Sequence, residues 1–266
     1  MLTFPTTLFT EGALALWSPL DDPSMVEFFD GRDESSIDED DAANRVSKWT
    51  GVNGHELIQT TAANQPRTGV STINGHNVVD ADTAGMYLEQ VANEVWMNAS
   101  GDHAAYGYFG ALTVSNENDA IWSFDNNNDY QLEAGNGSNF RMKLNVSGLG
   151  GDIINDSGNH NGPSVYGARF TWNATTGTKQ SYVDGVGNDN GPNGYTGTKI
   201  DVNQELTMFI NRGKAQAIQT ACLGFAVTDD SSDATRFRYE GFFAHLAGTQ
   251  AALGAGHLYF TNPPLQ

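Results

Sequence analysis

The chain has 266 residues, with 13 Lys and Arg against 32 Asp and Glu and a formal net charge of −19. That balance argues against nucleic acid, whose phosphates are met by clustered Lys and Arg, and equally against anionic membrane surfaces. Hydrophobic residues at 39% and aromatics at 11% suffice for a core, and the length suits one large all-β domain.

The single cysteine, Cys222, rules out a disulfide framework within one chain and any metal site built on thiolates. Set in Ala221-Cys222-Leu223-Gly224-Phe225, it reads as a small buried hydrophobe of a strand. No apolar run approaches the roughly 20 residues of a membrane span. The start of the chain lacks the basic n-region of a signal peptide and carries Glu11, so the expectation is synthesis in a cytoplasm.

In chain order, residues 1–27 read as an N-terminal arm. Pro5, Pro19 and Pro23 break any long element there, and Leu14, Leu16 and Trp17 offer apolar anchors for the chain's own domain or for a neighbouring subunit. From Phe28 to the end, strands and turns alternate. Phe28 to Leu88 holds an acidic stretch (Asp38, Glu39 and Asp40, read as a solvated turn), an exposed-looking strand Val46–Trp49, and an Asn74-Gly75 hairpin turn between short β-formers.

Further strands are expected over 105–114, 120–124, 130–134 and 140–146, the last alternating apolar and charged residues at period two. Next come 167–172 and 179–183, with Asp184-Gly185 as the following tight turn. Then come 206–211, 221–226 and a last long strand at 237–246. Residues 249–253 are expected to make one helical turn, and no amphipathic helix of convincing length is expected before residue 248. Many short strands with turn chemistry between them predict an antiparallel sandwich.

Taken in order, these pieces resemble the concanavalin A-like, laminin-G-like jelly-roll domains found in bacteriophage virion proteins. The residues carrying the resemblance are Phe29-Asp30, Ser36-Ile37-Asp38, Val46-Ser47-Lys48-Trp49, Ala63-Asn64-Gln65-Pro66, Ile73-Asn74-Gly75 and Val78-Val79-Asp80. Phe170-Thr171-Trp172 and Ser181-Tyr182-Val183-Asp184-Gly185 resemble that family's central hairpin. The resemblance implies an all-β, two-sheet antiparallel jelly-roll sandwich over 28–266, preceded by the arm. It also implies a structural role on a virion made in the host cytoplasm, as capsid decoration or as a tail or fibre component. Other virion proteins would be its partners, the arm its attachment device, and the particle would hold it as a homo-oligomer.

The same fold serves lectins and hydrolases, so function does not follow from it. Asp38 has no Glu two residues before it, which removes the resemblance to a glucanase carboxylate motif. The six histidines stand in no recognised catalytic setting, and the chain is read as non-enzymatic. The alternative is a carbohydrate-binding, lectin-like module for host glycans, with Trp122, Tyr130, Tyr166 and Tyr195 beside polar loops as candidates to stack on sugar rings. A cofactor is not required. A structural Ca2+ is the metal such polar loops suit, with Asp125, Asp129, Asp184 and Asp189 as candidate oxygen donors.

Overall fold

A computed structural model of the chain describes residues 15–40, 43–90, 102–114, 119–124, 131–134, 140–147, 149–156, 161–173, 176–187, 193–196, 198–199, 206–210, 214 and 217–266. Its strands are β1 (Met25–Asp30), β2 (Ile37–Glu39), β3 (Val46–Thr50), β4 (Glu56–Ile58), β5 (Arg67–Ile73), β6 (His76–Ala81) and β7 (Leu88–Glu89). They continue with β8 (His103–Phe109), β9 (Asp119–Phe124), β10 (Gln131–Ala134), β11 (Phe140–Ser147), β12 (Leu149–Asp156) and β13 (Ser164–Asn173). The rest are β14 (Thr176–Val183), β15 (Val186–Gly187), β16 (Asn193–Thr196), β17 (Thr198–Lys199), β18 (Leu206–Met208) and β19 (Thr220–Thr228), and one helix, α1 (Asp233–Ala247), follows.

The strands form two antiparallel sheets, the expected jelly-roll sandwich. One runs β15-β14-β13-β8-β19-β6-β5, with β1 on β19 and β16 on β14. The other runs β12-β11-β10-β9-β18-β7-β4-β3-β2, with β17 on β11. The start of β1 at Met25 means that the boundary expected after residue 27 falls inside a strand.

Burial explains the composition of the central strands. Every residue of β8 is buried, because the first sheet is covered on both faces. Ala105 and Phe109 point into the inter-sheet core with Phe29, Trp49, Trp122 and Phe225. Ala104, Tyr106 and Tyr108 point the other way, into a second core with Phe28, Tyr239 and Phe243. The cover on that outer face is α1.

The helix corrects the strand expected at 237–246. Ser232 caps it, its side chain accepting the Thr235 N–H, and Gly248 ends it at φ 73°, the left-handed backbone that favours glycine. Arg236, Tyr239, Glu240, Phe243, Ala244 and Ala247 are buried, a three-and-four spacing that fits a helix face and no strand. The aromatic content of Phe237 to Phe243 resembles that of a strand, and the capping residues outweigh it. The helical turn expected at 249–253 is present as a 3-10 turn over Gln250–Leu253.

Two smaller expectations change as well. Val46 and Trp49 of β3 are fully buried, and Ser47, Lys48 and Thr50 are partly exposed. Asp38 and Glu39 belong to β2 rather than to a turn, and they remain exposed. Lys48 Nζ lies 2.8 Å from Asp38.

Both expected hairpin turns form. Asn74 and Gly75 stand at φ 52° and 77° between β5 and β6, and Asp184 and Gly185 at 49° and 79° between β14 and β15. Two successive positive φ values match the twist of the flanking strands.

Candidate functional site

A groove of about 340 Å³ lies where residues 16–17 and 263–264 meet α1, beside the tip of the β5–β6 hairpin. Its size falls within the range of small-ligand sites, and its lining, apolar with a few polar groups, is the usual composition of one. Five segments build it. From the N-terminal side come Leu16 and Trp17, from the hairpin Asn74 and His76, from the helix Phe242, His245 and Leu246, and from the C-terminal side Pro263 and Pro264, while Arg32 follows β1.

Backbone pairing holds residues 15–17 against residues 264–266. Trp17 N–H donates to Pro264 O at 3.0 Å and Gln266 N–H to Ala15 O at 3.0 Å, with Leu16 bridged to Leu265. The hairpin tip is tied to the helix by Asn74 Nδ2, which donates to Leu246 O at 2.9 Å.

Aromatic packing sets the floor. Trp17 is 3% exposed and meets Tyr239 edge-on at 5.1 Å and Phe242 edge-on at 6.2 Å. Phe242 also packs against Phe28 and Phe243 and stays partly open. Contacts of this kind fix ring orientation as well as burying area.

The polar groups differ in what they have left to offer. Arg32 grips Asp30 with two bonds, Nε at 2.8 Å and Nη2 at 2.6 Å, and its guanidinium lies 5.7 Å from the centre of the Phe242 ring. Among the described residues its Nη1 makes no hydrogen bond, and neither does the His76 ring. His245 Nε2 is 2.7 Å from Tyr259 O; a carbonyl only accepts, so that nitrogen carries the hydrogen.

A second, shallower cleft of about 300 Å³ is lined by Ser71, Asp80, Asp82, Thr113, Gln219 and Thr220 among others. Its carboxylates are engaged. Asp80 takes the Ser71 hydroxyl at 2.6 Å, and Asp82 is paired with Arg67.

The residues singled out from the sequence fall elsewhere. Trp122, 2% exposed, and Tyr166, fully buried, lie in the inter-sheet core, so neither offers a face to a sugar. The Tyr166 hydroxyl donates to Gly162 O at 3.0 Å, and burial pushes its pKa far above the ordinary phenol value. Tyr130, Asp125, Asp129 and Asp189 lie outside the described residues. Tyr195 belongs to β16, opposite Gly177, and its side chain is outside the described part. Asp184 sits in its hairpin turn, where Oδ1 accepts the Val165 N–H at 2.9 Å. Among the described residues no group of three His, Cys, Asp or Glu is placed to hold a metal ion.

For the arm, Leu14 lies outside the described residues, Leu16 is 63% exposed at the groove, and Trp17 is spent on its own helix. Of the two alternatives for these anchors, the chain's own domain or a neighbouring subunit, Trp17 takes the first: it anchors the segment to its own helix and is not open to a partner. The groove is not visible from the sequence alone because the aromatic run around Phe242 and His245 has the composition of a strand. The signal that finds them is the pair of helix stops, Ser232-Asp233 and Gly248.

No family model and no curated protein matches the chain. Solved structures do. The binding domain of Paraclostridial Mosquitocidal Protein 1 superposes with a TM-score of 0.53 at 14% identity, over 84% of this chain and 52% of that one. The binding domain of Botulinum Neurotoxin DC in complex with SialylT gives 0.52 at 12%, over 90% and 53%. The same domain in complex with rat synaptotagmin II gives 0.51 at 11%, over 87% and 52%. The chain spans about half the length of these structures, and at such identities the likeness is one of fold.

Proposed function

We propose that the chain is a non-enzymatic binding module whose ligand is a carbohydrate, taken up in the groove over α1. The observation that carries this reading is the juxtaposition of a partly open aromatic ring, Phe242, with Arg32 Nη1 and the His76 ring, which have no hydrogen bond among the described residues, in a cleft of sugar size. A sugar ring presents an apolar face and a rim of hydroxyls, and it needs both kinds of partner. The solved structures of similar fold are binding domains, which favours the carbohydrate reading over the virion role.

The test is a glycan array probed with the intact chain and with Phe242→Leu, which keeps an apolar side chain and removes the ring. Binding by the intact chain that the variant loses supports the proposal. An array without binding for either protein sinks it. A place on a phage particle is a separate proposal that rests on the sequence resemblance alone. Deleting residues 1–14, the part of the arm ahead of Trp17, should then abolish incorporation into particles while the sandwich stays folded.

A further inference from the structure

The geometry points to an acidic sugar, a pyranose bearing a carboxylate, as the class of ligand that the groove over α1 takes. This inference rests on the carbohydrate-binding reading and adds the charge of the ligand and the residues that read it. The first observation is the contrast between the groove and the rest of the chain. The protein carries 32 acidic residues against 13 Lys and Arg, yet none of the ten residues lining the groove is acidic, and three are Arg32, His76 and His245.

The second observation is how those three are engaged. Asp30 occupies one edge of the Arg32 guanidinium through Nε and Nη2, which fixes the plane of the group. Nη1 is left without a hydrogen bond among the described residues, and the Arg32 side chain is 31% exposed. A guanidinium oriented by one carboxylate at one edge is preorganised to receive a second at the other, and charge-assisted bonds of this kind are roughly twice as strong as neutral ones. His76, on β6, has both ring nitrogens uncommitted among the described residues. His245 is held by Tyr259 O and shapes the wall.

The third is the floor. The Arg32 guanidinium lies over Phe242, so the donor that would meet a carboxylate and the ring that would meet an apolar sugar face are adjacent. A ligand spanning both needs its anionic group on the ring or next to it, as in a uronic acid or a sialic acid. A polyanion without an apolar face would leave Phe242 unused, and a neutral sugar would leave Arg32 Nη1 facing a weaker partner.

The experiment is calorimetric titration of the full chain with trigalacturonate, with sialyllactose, and with lactose and maltotriose as neutral probes, at matched ionic strength. At least one acidic probe should bind more tightly than every neutral one, and the two acidic probes tell the uronate from the sialate. Arg32→Gln should weaken that binding by about tenfold, the loss of one charge-assisted contact, and His76→Ala should weaken it too without touching the fold. Salt raised well above the physiological range should weaken acidic binding further. If Arg32→Gln unfolds, His76→Ala carries the test. Neutral probes bound as tightly as the acidic ones, with neither variant affecting binding, overturn the acidic-sugar inference and leave the carbohydrate reading standing. Failure of all four probes, together with a glycan array without binding, takes both down.

Discussion

Glu27 and His55 meet at 2.7 Å, Oε2 to Nδ1, with the Glu27 side chain fully buried and that of His55 27% exposed. The carboxylate takes three further donors: the N–H groups of Phe28 at 2.7 Å, Asn53 at 2.9 Å and His55 at 3.1 Å. It sits at the irregularity between Met25 and Glu27 where β1 departs from β19, and it staples the 51–55 loop onto that strand. Glu27→Gln puts an amide NH2 among groups that are themselves donors. The variant should lose about 3 kcal/mol, the cost of breaking a buried charged network, read as a lower urea midpoint at unchanged slope. Gly51→Ala should act on the same staple, because a Cβ there would stand 2.2 Å from Glu27 Cδ. A midpoint unchanged in both variants would show that the loop is held by something else.

Trp17 and Leu16 are neighbours in sequence with opposite fates, which gives a paired test. Trp17 is buried against Tyr239, which in turn stacks on Tyr106 at 5.1 Å and 17°. Trp17→Ala should release residues 15–17 and the 264–266 segment paired with them, at a cost of about 3 kcal/mol, and expose both to limited proteolysis. Leu16→Ser, at a side chain 63% exposed, should leave stability within about 0.5 kcal/mol. Equal protease resistance in the two variants would contradict the assignment of Trp17 as the anchor.

The sheets were legible in the sequence because period-two alternation and the Asn74-Gly75 and Asp184-Gly185 turns are local signals. The third layer was not. A strand buried on both faces, such as β8, shows a continuous apolar run whether a second sheet or a helix covers it. The helix that does the covering is rich in Phe and Tyr, residues that favour strands when judged one at a time. Arg236 and Glu240 make the helical register visible in hindsight: they pair at 2.8 Å one turn apart, and in a strand the same two positions would lie far along the chain. The groove depends on α1 and on both chain ends at once, and its residues range from Leu16 to Pro264. No window of sequence contains it.

Cys222 offers a direct probe of the inter-sheet core. It is fully buried, and burial pushes its thiol far above the ordinary value, with the Gly224 backbone opposing only in part. Only the thiolate reacts, so a thiol reagent should leave the native protein unmodified and react completely once guanidinium unfolds it. Any native reaction should track the rate or population of opening. Fast labelling of the folded protein would contradict the closure of the sandwich over β19.

The N-terminus of α1 sets a pH dependence whose sign follows from two carboxyls. Burial pushes Asp230 up, but hydrogen bonds from the Thr235 hydroxyl and from Ser232 outweigh it and hold the group below its ordinary value. Burial likewise pushes Asp233 up, and Arg169 with Arg236 brings it below. The Ser232 N–H lies 2.8 Å from Asp230 Oδ1, and Arg169 Nη1 lies 2.7 Å from Asp233 Oδ1. A carboxyl lowered on folding contributes stability that is complete above its unfolded value, about 3.9, and is lost as pH falls through the folded one. Asp233 is largely open to solvent, so its ion pair is screened and worth little; the larger share belongs to Asp230. Asp230→Asn should therefore cost on the order of 1 kcal/mol at neutral pH, the size of a helix-end cap. The gap to the unmodified chain should narrow as the pH falls below the unfolded value and close below the folded one, because protonation then removes from the unmodified chain the charge that the variant already lacks. Urea midpoints for the two proteins across that range measure the gap, and one that stays constant with pH would mean that these carboxyls do not hold the helix end through their charge.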